Sequence, residues 1–197
     1  MSTENNNITG SRFAQIATLG ENIFSTRDFA NLWKITNFNT LYTTLKRYTQ
    51  SGLIHRIYNG LYSLKPIEKV DPFLLGIKAV DGFAYISTET VLVQAGIITQ
   101  YIKYITLVSS HSKSFTIVSH QYRSRQLQDK YLFHDIGVSN NAGVRTANVS
   151  RAIADLLYFA PNFHFDNQLA IDWKKVREIQ IELGYPLTPH YYDDSTK

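Results

Sequence analysis

The sequence of 197 residues predicts an α+β protein with two domains. Three observations support this class. Two helical patterns follow each other over Ser25–Lys34 and Asn39–Ser51, a hairpin pattern occupies Leu53–Leu64, and short strand and helix patterns alternate over the remaining two-thirds. The hydrophobic content of 44% is enough to bury a core in one large domain or two small ones.

Helix boundaries are marked by capping residues. A first helix is expected over Arg12–Glu21, and Ser25 with Asp28 forms a capping-box pattern at the start of the second. Asn39 is a suitable N-cap for the third helix, which Gly52 ends. The inward face of the third helix is expected at Leu41, Leu45 and Tyr48.

The hairpin is predicted by its turn. Asn59 and Gly60 stand between two β-rich runs, and Asn-Gly turns ordinarily place both residues at positive φ. Helix, turn, helix and hairpin in this order predict an N-terminal winged helix-turn-helix over residues 11–65. That arrangement places one helix in the major groove of DNA and a β-ribbon beside it.

The outward face of the third helix carries amide, hydroxyl and cationic groups. Asn and Gln suit adenine, Arg and Lys suit guanine or phosphate, and Thr suits a thymine methyl group or phosphate. The candidate DNA-binding residues are Asn39, Thr40, Tyr42, Thr43, Lys46, Arg47 and Gln50 on the helix, with Arg56, Tyr58 and Lys65 on the hairpin and just after it.

The charge distribution favours the same partner. Residues 1–69 hold eight Lys or Arg and four acidic residues, whereas residues 70–197 hold twelve of each sign. The whole net charge of +4 therefore belongs to the candidate DNA-binding part, where it suits a phosphate backbone.

The rest of the chain predicts a linker over residues 66–72, a mixed α+β domain with a small sheet over residues 73–186, and a loose tail over residues 187–197. Four or five strands are expected, and the second and third are expected to pair. The segment around Arg123 to Arg125 is predicted to be an exposed loop. The candidate strands are Phe83–Ser87, Ile105–Ser109, Phe115–Ser119, Tyr131–Ile136 and Gly143–Ala147. Of the later helices, one starts at Asn148 or Ser150 and runs to Phe159, and the other covers Ile171–Leu183.

Few residues suggest catalysis. The six histidines lack metal-ligand spacing, there is no cysteine, and phosphate-binding and dinucleotide glycine motifs are missing, so no cofactor, metal or enzymatic activity is expected. Asp166 and Asp172, with Lys174, faintly resemble the carboxylate–lysine sets of nucleases, although Asp172 is also placed to begin a helix. No apolar run of membrane-spanning length and no signal-peptide pattern occur, so a cytoplasmic protein is expected.

Several segments together resemble the AbiEi-type antitoxins, transcriptional regulators of bacterial abortive-infection type IV toxin–antitoxin systems. The resemblance covers about residues 20–185, through the runs TLYTTLKRYTQSGLIHRIYNGLYSL, AYISTETVLVQAGII, ITLVSS and GVRTANVSRAIADLLYF.

This resemblance implies a repressor that binds an inverted repeat in double-stranded promoter DNA, autoregulates its operon and counteracts a nucleotidyltransferase-like toxin encoded by a neighbouring gene. It assigns the DNA-binding role to Asn39, Thr40, Thr43, Lys46, Arg47 and Arg56. For the second domain it implies a basic surface, with the candidates Lys103, Lys113, Arg123, Arg125 and Arg145. The alternative is a winged-helix protein-interaction module without operator binding.

Overall fold

The structure is a computed structural model that describes residues 12–80 and 82–191. It divides after Ala79 into two units, and both combine helices with a sheet. The predicted α+β class is therefore confirmed. Within the described ranges, no helix has the length and apolar character needed to cross a membrane.

The first unit contains a three-stranded antiparallel sheet in the order β1-β3-β2. Ile23 and His55 both pair with Ser63, from opposite sides of the central strand. The elements are α1 (12–17), β1 (Ile23–Ser25), α2 (Thr26–Trp33), α3 (Phe38–Gln50), β2 (His55–Tyr58), β3 (Leu61–Ser63) and α4 (Pro72–Ala79).

Side-chain caps fix the starts of α2 and α3. The predicted capping box is confirmed, because Ser25 Oγ accepts from the Asp28 amide at 3.1 Å and Asp28 Oδ2 accepts from the Ser25 amide at 2.7 Å. The prediction that Asn39 caps α3 is wrong. Asn37 is the N-cap, and its Oδ1 accepts from the amides of Asn39 and Thr40 at 2.9 and 3.3 Å, so the cap lies two residues before the predicted one and α3 begins at Phe38.

The inward face of α3 is confirmed, since Leu41, Leu45 and Tyr48 are all buried. They pack into a core rich in aromatic rings. The ring centroids of Phe29 and Trp33 lie 4.7 Å apart, and those of Trp33 and Tyr48 lie 5.4 Å apart. Tilted and edge-on aromatic pairs of this kind add to the burial energy that holds α2 and α3 together.

The segment predicted as a linker is structured. It contains a 3₁₀ turn over Ile67–Lys69 and leads into α4, which contacts β1. Lys78 Nζ on α4 donates to Glu21 Oε2 at 2.7 Å. The division after Ala79 therefore falls later than residues 66–72, because α4 packs within the first unit.

The second unit is built on a six-stranded mixed sheet in the order β6-β7-β5-β4-β9-β8, larger than the small sheet predicted. β5 and β7 run parallel, as do β4 and β9. The elements are β4 (Ala84–Ile86), α5 (Glu89–Gln94), β5 (Tyr104–Ser109), β6 (Lys113–Ile117), β7 (His120–Gln126), α6 (Asp129–Leu132), β8 (Val138–Asn141), β9 (Val144–Ala147), α7 (Val149–Phe159) and α8 (Trp173–Leu183).

Three predictions for this sheet are wrong. β5 does not pair with β6, because β7 lies between them. The segment predicted as a loop is part of β7, whose alternation of buried Tyr122 and Ser124 with exposed Arg123 is masked by its polar composition. The strand predicted over Tyr131–Ile136 is replaced by α6 and a turn.

The start of the predicted tail packs against the second unit. Thr188 is buried, and the ring of Tyr191 stacks on Trp173 with a centroid distance of 4.9 Å. Residues 192–197 of the predicted tail lie outside the described residues.

The interior of the second unit holds a buried ion pair on α7. Arg151 Nε donates to Asp155 Oδ1 at 2.9 Å, and neither side chain is exposed. The hydroxyls of Tyr85, Ser87 and Tyr185 donate to the same carboxylate at 3.0, 2.7 and 2.8 Å. Burial and the nearby Asp155 raise the pKa of Tyr85 and of Tyr185. Burial lowers the pKa of Arg151, whereas the carboxylate of Asp155 and the nearby tyrosines raise it. The net pKa is raised above the ordinary value, so the guanidinium stays charged.

Candidate nucleic-acid interface

A groove of about 650 Å³ lies in the first unit between α3 and the β2–β3 hairpin. It contains four of the predicted DNA-binding residues, which are Tyr42, Lys46 and Gln50 on α3 and Arg56 on β2. The remaining residues that line it are Thr26, Thr49, Asn59, Gly60 and Tyr62. A helix and a β-ribbon thus form opposite walls of one concave surface.

The hairpin is held in place by its turn. The Thr26 amide and hydroxyl both donate to the Gly60 carbonyl oxygen, at 2.7 and 3.2 Å. Gly60 has a φ of 67°, and a Cβ on it would lie 3.2 Å from Thr26 Oγ1. Asn59 does not take a positive φ, so the expectation of two such residues in the turn holds for Gly60 only.

Position around α3 explains why Thr40 and Arg47 do not face the hairpin. At about 100° per residue, Tyr42, Thr49 and Lys46 lie within about 80° of Phe38 on the flank that lines the groove. Thr40 and Arg47 lie about 180 to 200° from Phe38. They are exposed on the other flank, outside the groove.

Asn39 and Thr43 are also exposed outside the groove lining. Thr43 Oγ1 donates to the Asn39 carbonyl at 2.9 Å, so its hydroxyl hydrogen is bound within α3. The amides of Asn39 and Thr40 are bound by Asn37, so the first turn of α3 offers outward side chains rather than these two backbone donors.

The two hairpin candidates Tyr58 and Lys65 do not line the groove. Tyr58 is half-buried at the end of β2. Lys65 is exposed after β3, and its amide donates to Ser63 Oγ at 2.9 Å. The structure therefore separates these two from Arg56, which occupies the groove wall.

The charged side chains that line the groove are all positive. Lys46 and Arg56 line it from opposite walls, and none of its described lining residues is acidic. Two acids of the first unit lie outside this lining and have other partners, because Glu21 binds Lys78 and Asp28 caps α2. A cationic cleft of this kind concentrates anions.

Tyr62 forms part of the groove floor and is 7% exposed. Burial raises the pKa of its hydroxyl, while the positive charge of Arg56 acts in the opposite direction. The hydroxyl therefore stays protonated at neutral pH and remains a hydrogen-bond donor.

Sequence reasoning missed five lining residues, Thr26, Thr49, Asn59, Gly60 and Tyr62. Asn59 and Gly60 carried a turn signal, but nothing local to the sequence places that turn against Thr26 on α2. Thr49 lies only two turns beyond Tyr42 on the same flank of α3, which a helical projection would have shown. Phe38, predicted as part of the turn, is the first residue of α3 and is 53% exposed.

The basic candidate residues of the second unit have different contacts. The Arg123 guanidinium lies 4.3 Å from the centre of the Tyr104 ring, and Lys103 Nζ lies 5.9 Å from the same ring. Arg125 forms an ion pair with Glu89, so its charge is compensated.

Arg145 on β9 stacks over Phe83 at 4.6 Å, and Lys113 on β6 lies 5.2 Å from the Phe115 ring. Three strands separate β6 from β9 in the sheet. The five candidates thus occupy several places on the sheet rather than one patch.

The acidic residues considered for nuclease chemistry have structural partners. Asp166 accepts from the Thr99 amide and hydroxyl at 2.6 and 2.9 Å, and these bonds lower the pKa of its carboxyl group. Asp172 Oδ1 accepts from the Lys175 amide at 3.0 Å and caps α8. Over residues 12–80 and 82–191, no group of three or more His, Cys, Asp or Glu side chains is placed to hold a metal ion.

Comparison with known proteins assigns no family to this chain. A scan against protein-family models finds no match, and a search of curated proteins finds no significantly similar sequence. Its function is therefore inferred from the groove between α3 and the hairpin.

Proposed function

We propose that this protein is a DNA-binding transcriptional repressor, and that its first unit is a winged helix-turn-helix. The observation that carries the proposal is the groove in which Lys46 on α3 and Arg56 on the hairpin line opposite walls. The α3 helix enters the major groove of promoter DNA, and the hairpin lies beside it against the sugar–phosphate backbone.

The two walls have different tasks in this proposal. Lys46 and Arg56 neutralise phosphates of the strand that runs between helix and hairpin, which supplies affinity without sequence preference. The exposed amides of Asn39 and Gln50 face base edges. Thr43, whose hydroxyl hydrogen is bound within α3, adds its methyl group as an apolar contact. The excess positive charge of residues 1–69 adds attraction over a longer range.

The resemblance to AbiEi-type antitoxins extends the proposal. The protein acts in the cytoplasm, binds an inverted repeat in its own promoter and represses its operon. It also counteracts a nucleotidyltransferase-like toxin encoded by a neighbouring gene. The second unit, with its six-stranded sheet, supplies the surface for that antitoxin role or helps two copies of the protein pair on DNA.

Salt-dependent binding tests the repressor role. Fluorescence anisotropy measures the affinity of the full chain for a fragment of its own promoter at several salt concentrations. Lys46→Ala and Arg56→Ala should each weaken binding, and each should reduce the slope of log K against log salt by about 0.9. Lys69→Ala is the matched control, because Lys69 is exposed in the first unit but lies outside the groove.

Full affinity in the Lys46→Ala and Arg56→Ala double variant would contradict the proposal, as would equal affinity for the promoter and a scrambled duplex. The antitoxin role is tested separately by coexpression with the neighbouring gene product. This protein should relieve the growth arrest that the neighbouring gene product causes. Persistence of the arrest would contradict the proposed antitoxin role.

A second candidate is a winged-helix protein-interaction module without operator binding. The observation that favours it is the pair of half-exposed rings of Tyr42, which lines the groove, and Phe38, one turn before it. This function requires a stable complex with a neighbouring gene product, detected by pull-down, together with no promoter binding at physiological salt.

A further inference from the structure

Two aromatic side chains on α3 are exposed without an apparent structural task. Phe38 and Tyr42 are each 53% exposed, and their ring centroids lie 6.1 Å apart. They are spaced i and i+4, so their rings neighbour each other on one flank of the helix. The core side of α3 is already filled by Leu41, Leu45 and Tyr48.

The pair is continuous with the groove. Tyr42 lines the groove together with Lys46, and Phe38 lies one turn before Tyr42 on the same flank. An apolar surface at the start of α3 therefore borders the cationic part of the cleft. Exposed apolar patches rimmed by polar groups commonly mark contact surfaces.

The charges around the pair favour DNA over an apolar protein segment. Lys46 and Arg56 are exposed on α3 and the hairpin, and the described lining of the groove has no carboxylate. Lysine is depleted at the centres of protein–protein interfaces, whereas cations flank any surface that enters the major groove between two phosphate chains. In the major groove of DNA, the apolar group that a base presents is the 5-methyl group of thymine.

We propose that Phe38 and Tyr42 contact thymine methyl groups and make the protein selective for thymine at the bases that face the start of α3. This inference rests on the proposed function, since it names the bases that the helix reads. Each methyl group buried against a ring should contribute about fourfold in affinity.

Replacement of thymine by uracil tests this directly, because uracil lacks only the methyl group. The promoter fragment is amplified with deoxyuridine triphosphate in place of thymidine triphosphate, and both fragments are titrated with the full chain. Wild-type protein should bind the uracil fragment at least fourfold more weakly. Phe38→Ala combined with Tyr42→Ala should bind the thymine fragment more weakly and lose the discrimination.

Two further variants separate the ring contact from other effects. Tyr42→Phe keeps the ring and removes the hydroxyl, so its preference for thymine should equal that of the wild type. Leu19→Ala is the matched control, because Leu19 is also 53% exposed in the first unit but lies outside the groove. Circular dichroism verifies that every variant keeps its helical content.

Equal affinity of the wild type for both fragments would overturn this inference and leave the repressor function intact. A double variant that keeps its preference for thymine would also overturn it. Absence of promoter binding by the wild type would refute the proposed function and this inference together. Loss of a protein complex in the Phe38 and Tyr42 variants, with promoter affinity unchanged, would assign the pair to a protein partner instead.

Discussion

Thr26 donates two hydrogen bonds to a single atom, the carbonyl oxygen of Gly60, from its amide at 2.7 Å and its hydroxyl at 3.2 Å. These bonds join the start of α2 to the turn between β2 and β3. Because α2 packs on α3 through the aromatic core, the turn is held at a defined distance from α3. The width of the groove therefore depends on a contact between residues 34 positions apart.

Gly60→Ala should destabilise the first unit and weaken promoter binding. The change introduces a side chain at a φ of 67° and brings its Cβ within 3.2 Å of Thr26 Oγ1. We expect a loss of about 1–3 kcal/mol in the free energy of unfolding. Urea denaturation measures it, with Trp33 as the fluorescent reporter of the first unit in a Trp173→Phe background.

Gly52→Ala is the matched control for this change. Gly52 has a φ of 73°, but a Cβ there meets no atom within 4 Å. It should show the backbone cost alone, about 1 kcal/mol, with promoter affinity unchanged. Equal losses in both variants would show that the contact with Thr26 does not matter.

Asp155→Asn should be among the most destabilising single changes in the second unit. It leaves the buried Arg151 guanidinium without its compensating carboxylate, and we expect a loss of about 3–5 kcal/mol. Tyr185→Phe removes one hydrogen bond to Asp155 and should cost about 1 kcal/mol.

Glu178→Gln, at an exposed position on α8, should change the free energy of unfolding by about 0.5 kcal/mol at most. Thermal and urea denaturation followed by circular dichroism rank the three variants. A loss below about 1 kcal/mol for Asp155→Asn would refute the structural importance of the ion pair.

Val118→Gly should stabilise the second unit. Val118 lies in the two-residue turn between β6 and β7 with a φ of 53°, an unfavourable conformation for a β-branched residue, and is 64% exposed. Relief of this conformation should add about 1 kcal/mol to the free energy of unfolding. Val118→Thr keeps the branch and should add nothing, so an equal gain in both variants would contradict this explanation.

Thr99→Val should raise the pKa of Asp166 towards 3.8, which NMR titration of the carboxyl carbon measures. The Thr99 amide lowers this pKa most, and the hydroxyl that valine lacks lowers it further. Because the pKa of Asp166 is lower in the folded state than in the unfolded state, its ionised carboxylate stabilises the folded protein above pH 3.8. This stabilisation is lost as the pH falls through the pKa of the folded state.

The wild type should therefore exceed Thr99→Val in stability at neutral pH, by a margin that shrinks in acid. Thr116→Val, at an exposed position on β6, should leave the titration of Asp166 unchanged. An unaltered Asp166 titration in Thr99→Val would exclude the hydroxyl as a cause.

The sequence alone determined the features that depend on neighbours within a few residues. The capping box at Ser25, the inward face of α3 and the hairpin around Gly60 follow from local hydrogen bonding and periodicity. For α7 the sequence offered Asn148 or Ser150 as its start, and the structure selects Asn148. The cap of α3 was misassigned because two asparagines stood two positions apart, and only the backbone geometry selected Asn37.

Tertiary structure decided the features that depend on distant contacts. Strand order in the second unit follows from pairing across the whole sheet, so the position of β7 between β5 and β6 was not evident from the sequence. The strand β7 itself was missed because its composition is polar. The selection of Lys46 and Arg56 for the groove, with Arg47 on the other flank, depends on where Thr26 holds the hairpin. A sequence pattern fixes which side chains leave a helix on the same face, but only packing between elements determines which surface that face will meet.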